Sequence, residues 1–128
     1  MPDADEHSRQ IQHNKKFLDT FINPYSDTIY CDWAITVTFY SLLHLVELYF
    51  NKKGGDHYFN HEERNEAIRF DDNLESIYKD YHRLYDWSRG ARYKCFQFSP
   101  DEVEEAHERL LYVENIINTI IQDPSFSQ

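Results

Sequence analysis

The chain has 128 residues, of which 41% are hydrophobic and 16% aromatic, with only three glycines and four prolines. This length predicts a single domain over residues 1–128, because two halves would each be too small for a good core. The composition excludes a disordered polymer. The formal net charge of −10 disfavours general binding to phosphate backbones or anionic lipids. A nucleic-acid function would therefore need a local basic surface.

The cysteines and the N-terminal segment bear on the cellular compartment. Cys31 and Cys95 match no metal-binding or redox spacing. The opening segment, MPDADEHSRQ, has no apolar signal core, and no run approaches the ~20 apolar residues of a membrane span. We expect a soluble cytoplasmic protein with reduced thiols and no membrane association.

Apolar residues at helical spacing predict helices along the whole chain. The first covers about residues 6–22 and ends before Pro24, because proline disfavours helical geometry in the residue that precedes it. The second begins after a cap at Ser26 or Asp27 and runs to about Lys53. It is apolar nearly all round, which predicts a buried central helix.

A short third helix begins after Asn60, a good N-cap with a glutamate three residues on, and ends near Asp71. The fourth covers about residues 73–89, and residues 90–98 are expected to form a turn or loop.

The sequence Ser99-Pro100-Asp101-Glu102 predicts the start of a fifth helix, which runs to about Gln122. No segment shows the alternation of a strand. The predicted fold is all-α: an up-and-down four-helix bundle with one additional short helix.

His44 lies in the middle of the predicted central helix. One interpretation is a core histidine that hydrogen-bonds to Tyr40, Ser41 or a backbone carbonyl. The other places His44 at the floor of a cleft between helices, as an acid, base or ligand.

The densest polar cluster surrounds the start of the third helix. His57 and His61 have the four-residue spacing of a helical zinc-ligand pair, but the cap at Asn60 leaves His57 in the loop, and we predict no metal site. Arg64 and Asn65 share a helix face with His61. This face is either functional or a solvated first turn.

Positive charge is concentrated at the end of the fourth helix. Residues 79–94 carry a local charge of +3 beside Tyr85, Trp87 and Tyr93, whereas residues 99–128 carry −6. Cations among aromatic rings suit phosphates and stacked bases. Alternatively, the arginines pair with the acidic last helix.

Three segments together resemble small prokaryotic HEPN-domain proteins. They are YCDWAITVTFYSLLHLVE at residues 30–47, HEERN at residues 61–65, and the stretch at residues 81–93 that ends in SRGARY. The resemblance covers about residues 26–115. It implies a helical bundle that dimerises and, for many members, cleavage of RNA without a metal or other cofactor.

In members that cleave RNA, an arginine, a polar residue that is often asparagine, and a histidine after four to six intervening positions form a site across the dimer. Arg64 and Asn65 match the start of that motif. The histidine does not follow, since positions 69, 70 and 71 are Arg, Phe and Asp.

The resemblance therefore implies that His61 or His44 supplies the missing imidazole as acid or base. Arg64 would hold the scissile phosphate, and Asn65 would orient the phosphate or Arg64. The candidate substrate-binding residues at the end of the fourth helix are Arg89, Arg92 and Tyr93.

Two other classes of function remain open. The domain could bind a nucleotide or RNA end without cleaving it, through the same arginines. It could instead be a partner protein, such as a dimerising scaffold or the helical half of a toxin–antitoxin pair. A neighbouring gene for a minimal nucleotidyltransferase-type antitoxin would favour the last of these.

Overall fold

The computed structural model describes residues 3–22, 29–54 and 60–126, and all regular structure in these ranges is helical. The all-α prediction is therefore confirmed. The helices are α1 (Ala4–Phe17), α2 (Cys31–Lys53), α3 (His61–Phe70), α4 (Tyr78–Tyr93) and α5 (Pro100–Gln122). A π-helical segment, Leu18–Ile22, extends α1, and a 3₁₀ turn, Glu75–Ile77, leads into α4.

Local capping signals are confirmed at two helix starts and one helix end. Ser99 and Glu102 form a full capping box at α5, and Asn60 Oδ1 accepts a hydrogen bond of 2.8 Å from the N–H of Glu63 at α3. Gly54 ends α2 with a φ of 89°, the left-handed conformation that glycine adopts without a steric cost.

Three helix starts differ from the prediction. α4 begins at Tyr78 and not near residue 73, because a 3₁₀ turn, Glu75–Ile77, precedes it. α1 begins at Ala4, earlier than predicted, because Asp3 and Glu6 form a capping box there. α2 begins at Cys31, after Tyr30, which gives no side-chain cap. The predicted caps Ser26 and Asp27 lie outside the described residues.

The glycine expected to begin a turn lies inside α4 instead. A Cβ at Gly90 would lie 2.2 Å from Cδ2 of Phe96, so the missing side chain lets this ring pack onto the helix. The Gly90 carbonyl accepts hydrogen bonds from the N–H groups of Lys94 and Phe96, at 3.2 and 3.1 Å. The chain thus folds back after Tyr93. The prediction of a turn or loop over residues 90–98 is wrong for residues 90–93 and confirmed for residues 94–98.

α2 is the central helix and packs against α1, α4 and α5. It is fully buried at positions such as Leu42 and Val46, as predicted. One side is an exception, because Trp33 is 59% exposed and Tyr40 and His44 are half-buried.

α2 is also the one described helix with the length and hydropathy to cross a membrane. Of its apolar window, 72% is buried inside the protein. Core helices satisfy the same criterion, so the finding is weak evidence for a membrane span.

The carboxylate of Asp71 connects the turn after α3 to the end of α2. It accepts hydrogen bonds from Tyr49 Oη at 2.8 Å and Lys53 Nζ at 2.7 Å, and from the N–H groups of Asn73 and Leu74. Burial alone would raise its pKa, but the hydrogen bonds from Lys53, Tyr49 and Asn73 hold the pKa below its ordinary value. This contact fixes where α4 begins.

Two adjacent leucines of α5 test this packing. Leu110 is 1% exposed and Leu111 is 45% exposed. We expect Leu110→Ala to lower the free energy of unfolding by about 2–5 kcal/mol, and Leu111→Ala to change it by roughly 0.5 kcal/mol or less. Urea unfolding followed by circular dichroism measures both, and equal losses would contradict the orientation of α5.

Candidate functional site

Three polar side chains of α2 lie on one face of the helix. Tyr40, His44 and Glu47 follow the i, i+4, i+7 spacing that places residues one above another. Each contacts a different helix: Tyr40 contacts α4, His44 contacts α1 and Glu47 contacts α3. We call these three residues the polar stripe of α2, and the candidate site is built on it.

Arg64 of α3 forms a buried ion pair with the stripe. Its Nε lies 2.6 Å from Glu47 Oε1, and the two residues are 7% and 3% exposed. The expectation of a solvated first turn is therefore wrong for Arg64. The guanidinium also lies near the buried hydroxyl of Tyr81, whose pKa is raised by burial.

His61 lies beside Arg64 at the start of α3. Its Nδ1 is 3.2 Å from Arg64 Nη1. Because a guanidinium only donates hydrogen bonds, this Nδ1 accepts, and the neutral ring carries its proton on Nε2. The imidazole packs against the rings of Phe39 and Tyr85, with centroids 6.0 and 5.0 Å away.

The positive charges of the predicted arginines all act on the pKa of His61. Burial lowers the pKa of His61 most, and the positive charges of Arg64, Arg92 and Arg89 lower it further. An imidazole with a pKa below 6.5 is mostly neutral at pH 7. The ring is thus positioned to donate a hydrogen bond from Nε2 near neutral pH.

Arg92 and Arg89 are held by tyrosines. Arg92 Nη1 donates to Tyr40 Oη at 2.6 Å, and its guanidinium lies 5.2 Å from the centre of the Tyr40 ring and 4.9 Å from that of Tyr93. Arg89 donates to Tyr85 Oη at 3.3 Å. These contacts orient the guanidinium groups without supplying a negative charge.

No described carboxylate forms an ion pair with Arg89 or Arg92. The α4–α5 ion pairs lie elsewhere, between Asp80 and Arg109 at 2.9 Å and between Arg83 and Glu105 at 3.9 Å. The expectation that the basic cluster pairs with the last helix thus holds for Arg83 only.

His44 contacts α1 and lies between Tyr40 and Glu47 on the polar stripe. Its Nδ1 is 2.8 Å from Nδ1 of His7, a buried residue. Burial lowers the pKa of His44 most, and the nearby charges of His7 and Arg64 lower it further. The charge of Glu47 raises it. His44 lines an open groove with α1 residues, so it contacts both a core partner and solvent.

Asn65 is not joined to the other predicted site residues. It is half-buried, and its buried Oδ1 has no hydrogen-bond partner among residues 3–22, 29–54 and 60–126. The predicted role of Asn65 in orienting Arg64 is therefore not seen, because Glu47 and His61 orient that guanidinium.

Sequence reasoning named Tyr85 among the aromatic residues beside the cations but missed His7 and Glu47 as parts of this arrangement. A signal for His7 exists, because positions 7, 11, 14 and 18 follow helical spacing and all are buried. Glu47 carries a weaker signal, since an acid inside an apolar helix requires a partner. No pattern in the sequence names that partner.

In the described part of the chain, no group of three or more His, Cys, Asp or Glu side chains could hold a metal ion. His57, the other half of the zinc-like spacing, lies outside the described residues.

Comparison of the chain with protein-family models, with curated proteins and with solved structures finds no match. The fold and site define an all-helical protein in which two arginines, unpaired with any carboxylate of the described residues, act on a histidine whose pKa is lowered. Any functional conclusion depends on that geometry and on the motifs themselves.

Burial separates the arginines into two kinds, which a stability measurement can distinguish. Arg64→Met removes the guanidinium that pairs with the buried carboxylate of Glu47, and we expect it to lower the free energy of unfolding by about 3–5 kcal/mol. Arg89→Met removes an exposed side chain, and we expect a change of roughly 0.5 kcal/mol or less. Similar losses in urea unfolding would contradict the buried ion pair.

The lowered pKa values of His44 and His61 predict lower stability in mild acid. Below the ordinary value of 6.5, the unfolded chain binds more protons than the folded chain. The stabilisation is therefore complete above that pH and is lost as the pH falls towards the folded-state values. Urea unfolding between about pH 7.5 and 5.5 should show this decline. His44→Gln and His61→Gln should each reduce its slope, with His13→Gln, at an exposed position, as the control.

Proposed function

We propose that this protein is a HEPN-like homodimer that binds RNA in the cytoplasm and cleaves it without a metal ion, in a defence or toxin–antitoxin setting. In this proposal α1, α2, α4 and α5 form an up-and-down bundle and α3 is the additional short helix. The observation that carries the proposal is the pair of oriented guanidinium groups of Arg89 and Arg92, which no carboxylate of the described residues pairs with, and their effect on the imidazole of His61.

The chemistry of RNA self-cleavage matches these groups. The 2′-hydroxyl oxygen attacks phosphorus as a base takes its proton, and the 5′-oxygen leaves with a proton from an acid or water. Arg89 and Arg92 would hold the phosphate oxygens by forked hydrogen bonds as negative charge develops. The Nε2–H of His61 would donate to the same phosphate or to the leaving oxygen.

His44 is then the candidate base, because the tautomer of His61 leaves no lone pair on Nε2. His44 hydrogen-bonds to His7 of α1, whereas Arg92 and Arg89 are held by Tyr40 and Tyr85. A homodimer, as the HEPN resemblance implies, would bring a second set of these side chains to a shared cleft.

Arg64 takes a different role from the one that its motif position implies. Its charge is compensated by Glu47 and its side chain is buried, so it is poorly placed to hold a phosphate. It instead holds Nδ1 of His61, which sets the tautomer of that ring.

A second candidate is RNA or nucleotide binding without cleavage, in a protein that pairs with a nucleotidyltransferase-type antitoxin. Two observations favour it: the motif histidine is absent at positions 69–71, and the motif arginine is neutralised by Glu47. Binding needs only Arg89, Arg92 and the neighbouring aromatic Tyr93, which is 71% exposed.

The test uses purified full-length protein, EDTA and a single-stranded RNA, with the matching DNA alongside. We expect the wild type to cut RNA to products with a 2′,3′-cyclic phosphate and to leave DNA intact. The double variant Arg89→Gln/Arg92→Gln should lose about 10²–10³-fold in rate, because it removes the groups that stabilise the phosphate charge. Arg83→Gln, which removes an arginine on the same helix, is the matched control.

A gel-shift measurement separates the two candidates. A wild-type protein that shifts RNA without cutting it, through Arg89 and Arg92, supports the binding function and refutes the nuclease. Equal RNA affinity in the wild type and in the double variant would refute both.

A further inference from the structure

A contact between α1 and α2 places two imidazole rings in direct hydrogen bonding. Nδ1 of His7 lies 2.8 Å from Nδ1 of His44, with ring centroids 5.1 Å apart. His7 is 3% exposed and His44 is half-buried, and both line an open groove of about 490 Å³. His7 is therefore the more buried of the two rings, and His44 is the more accessible to solvent.

The geometry fixes how many protons the pair can hold. Two nitrogens at this distance share one hydrogen, since one ring donates and the other accepts. A first additional proton binds Nε2 of the donating ring and leaves the bond intact. A second would place N–H groups on both facing nitrogens and break the bond. The two rings therefore titrate as a unit that takes up one proton.

We infer that His7 is a positioning residue that engages Nδ1 of His44 and so makes Nε2 the nitrogen through which His44 exchanges protons with a substrate. Where it concerns RNA, the inference rests on the proposed function. The shared proton and the assignment of Nε2 are properties of the free protein.

The surroundings of the pair favour a single bound proton. The other titratable or charged groups around it are Glu6, Arg9 and His13 on α1, Glu47 on α2 and Arg64 on α3. Glu47 would promote protonation of His44, but its charge is compensated by Arg64. Burial and the charge of His7 hold the pKa of His44 below its ordinary value.

Two substitutions separate positioning from packing. His7→Phe keeps an aromatic ring and removes the hydrogen bond. His7→Asn keeps a group that can bond to Nδ1 of His44 but cannot take up the shared proton. His13→Asn, at an exposed position that lines the same groove, is the matched control.

The first measurement is heteronuclear NMR of the ring nitrogens in isotope-labelled, RNA-free protein across a pH titration. We expect both rings of the wild type to shift together as one proton binds, with Nε2 of His44 accessible to exchange with solvent. In His7→Phe and His7→Asn, His44 should titrate alone, and in His7→Phe its midpoint should rise as the second charge is removed. Independent titration of the two rings in the wild type would overturn the inference. If His7→Phe does not fold, His7→Asn provides the same comparison.

The second measurement is the pH dependence of RNA cleavage. We expect the acidic limb to move to higher pH in His7→Phe, with a rate roughly 10–100-fold lower on the plateau because His44 is misoriented, and His7→Asn to restore most of the plateau rate. An unchanged profile in His7→Phe would overturn the positioning role. A wild type with coupled rings and no cleavage would refute the nuclease function while the His7–His44 pair stands.

Discussion

The structure depends on one constraint: the central helix α2 is buried, yet it carries a carboxylate and an imidazole on one face. A buried charge is stable only if it is paired, and a buried polar group only if it is hydrogen-bonded. Glu47 finds its partner in Arg64 of α3, and His44 finds its partner in His7 of α1. These two contacts specify how α1 and α3 sit on α2, which apolar packing alone leaves less defined.

The same constraint divides the arginines into those that pair with acids inside the fold and those whose charge can act on a ligand. Arg64 forms an ion pair with Glu47. Arg109 and Arg83 form ion pairs with carboxylates between α4 and α5. Arg89 and Arg92 are held by tyrosine rings and hydroxyls, which orient a guanidinium without cancelling its charge. A strongly acidic protein thus retains a small basic surface, and its net charge is no objection to an anionic ligand there.

This division also bears on how loss-of-function variants should be interpreted. Substitution of a buried, paired arginine perturbs the fold together with the tautomer of His61, so a lost activity would not identify a phosphate-binding group. Substitution of an oriented surface arginine leaves the ion pair of α2 and α3 intact. Under the proposed function, variants of Arg89 and Arg92 therefore test phosphate binding more directly than variants of Arg64, although Arg64 occupies the motif position.

Much of the fold follows from local chemistry. The capping box at Ser99, the cap at Asn60 and the left-handed exit at Gly54 are set by residues within one turn of each helix end. The burial of α2 follows from its apolar circumference. Local signals were insufficient at Gly90, because the ring that packs onto it comes from Phe96, beyond the predicted helix end.

The candidate site was predictable in its residue types and only partly in its geometry. The sequence by itself determined an all-helical chain, a central apolar helix with His44 inside it, and a concentration of arginines among aromatic residues. Only the tertiary structure decided that Arg64 pairs with Glu47 and that His44 pairs with His7. It also decided that the charges of Arg89 and Arg92 lower the pKa of His61. The physical reason is that helical periodicity states which face of a helix is buried, whereas the partner of a buried polar group is decided by which helices pack together.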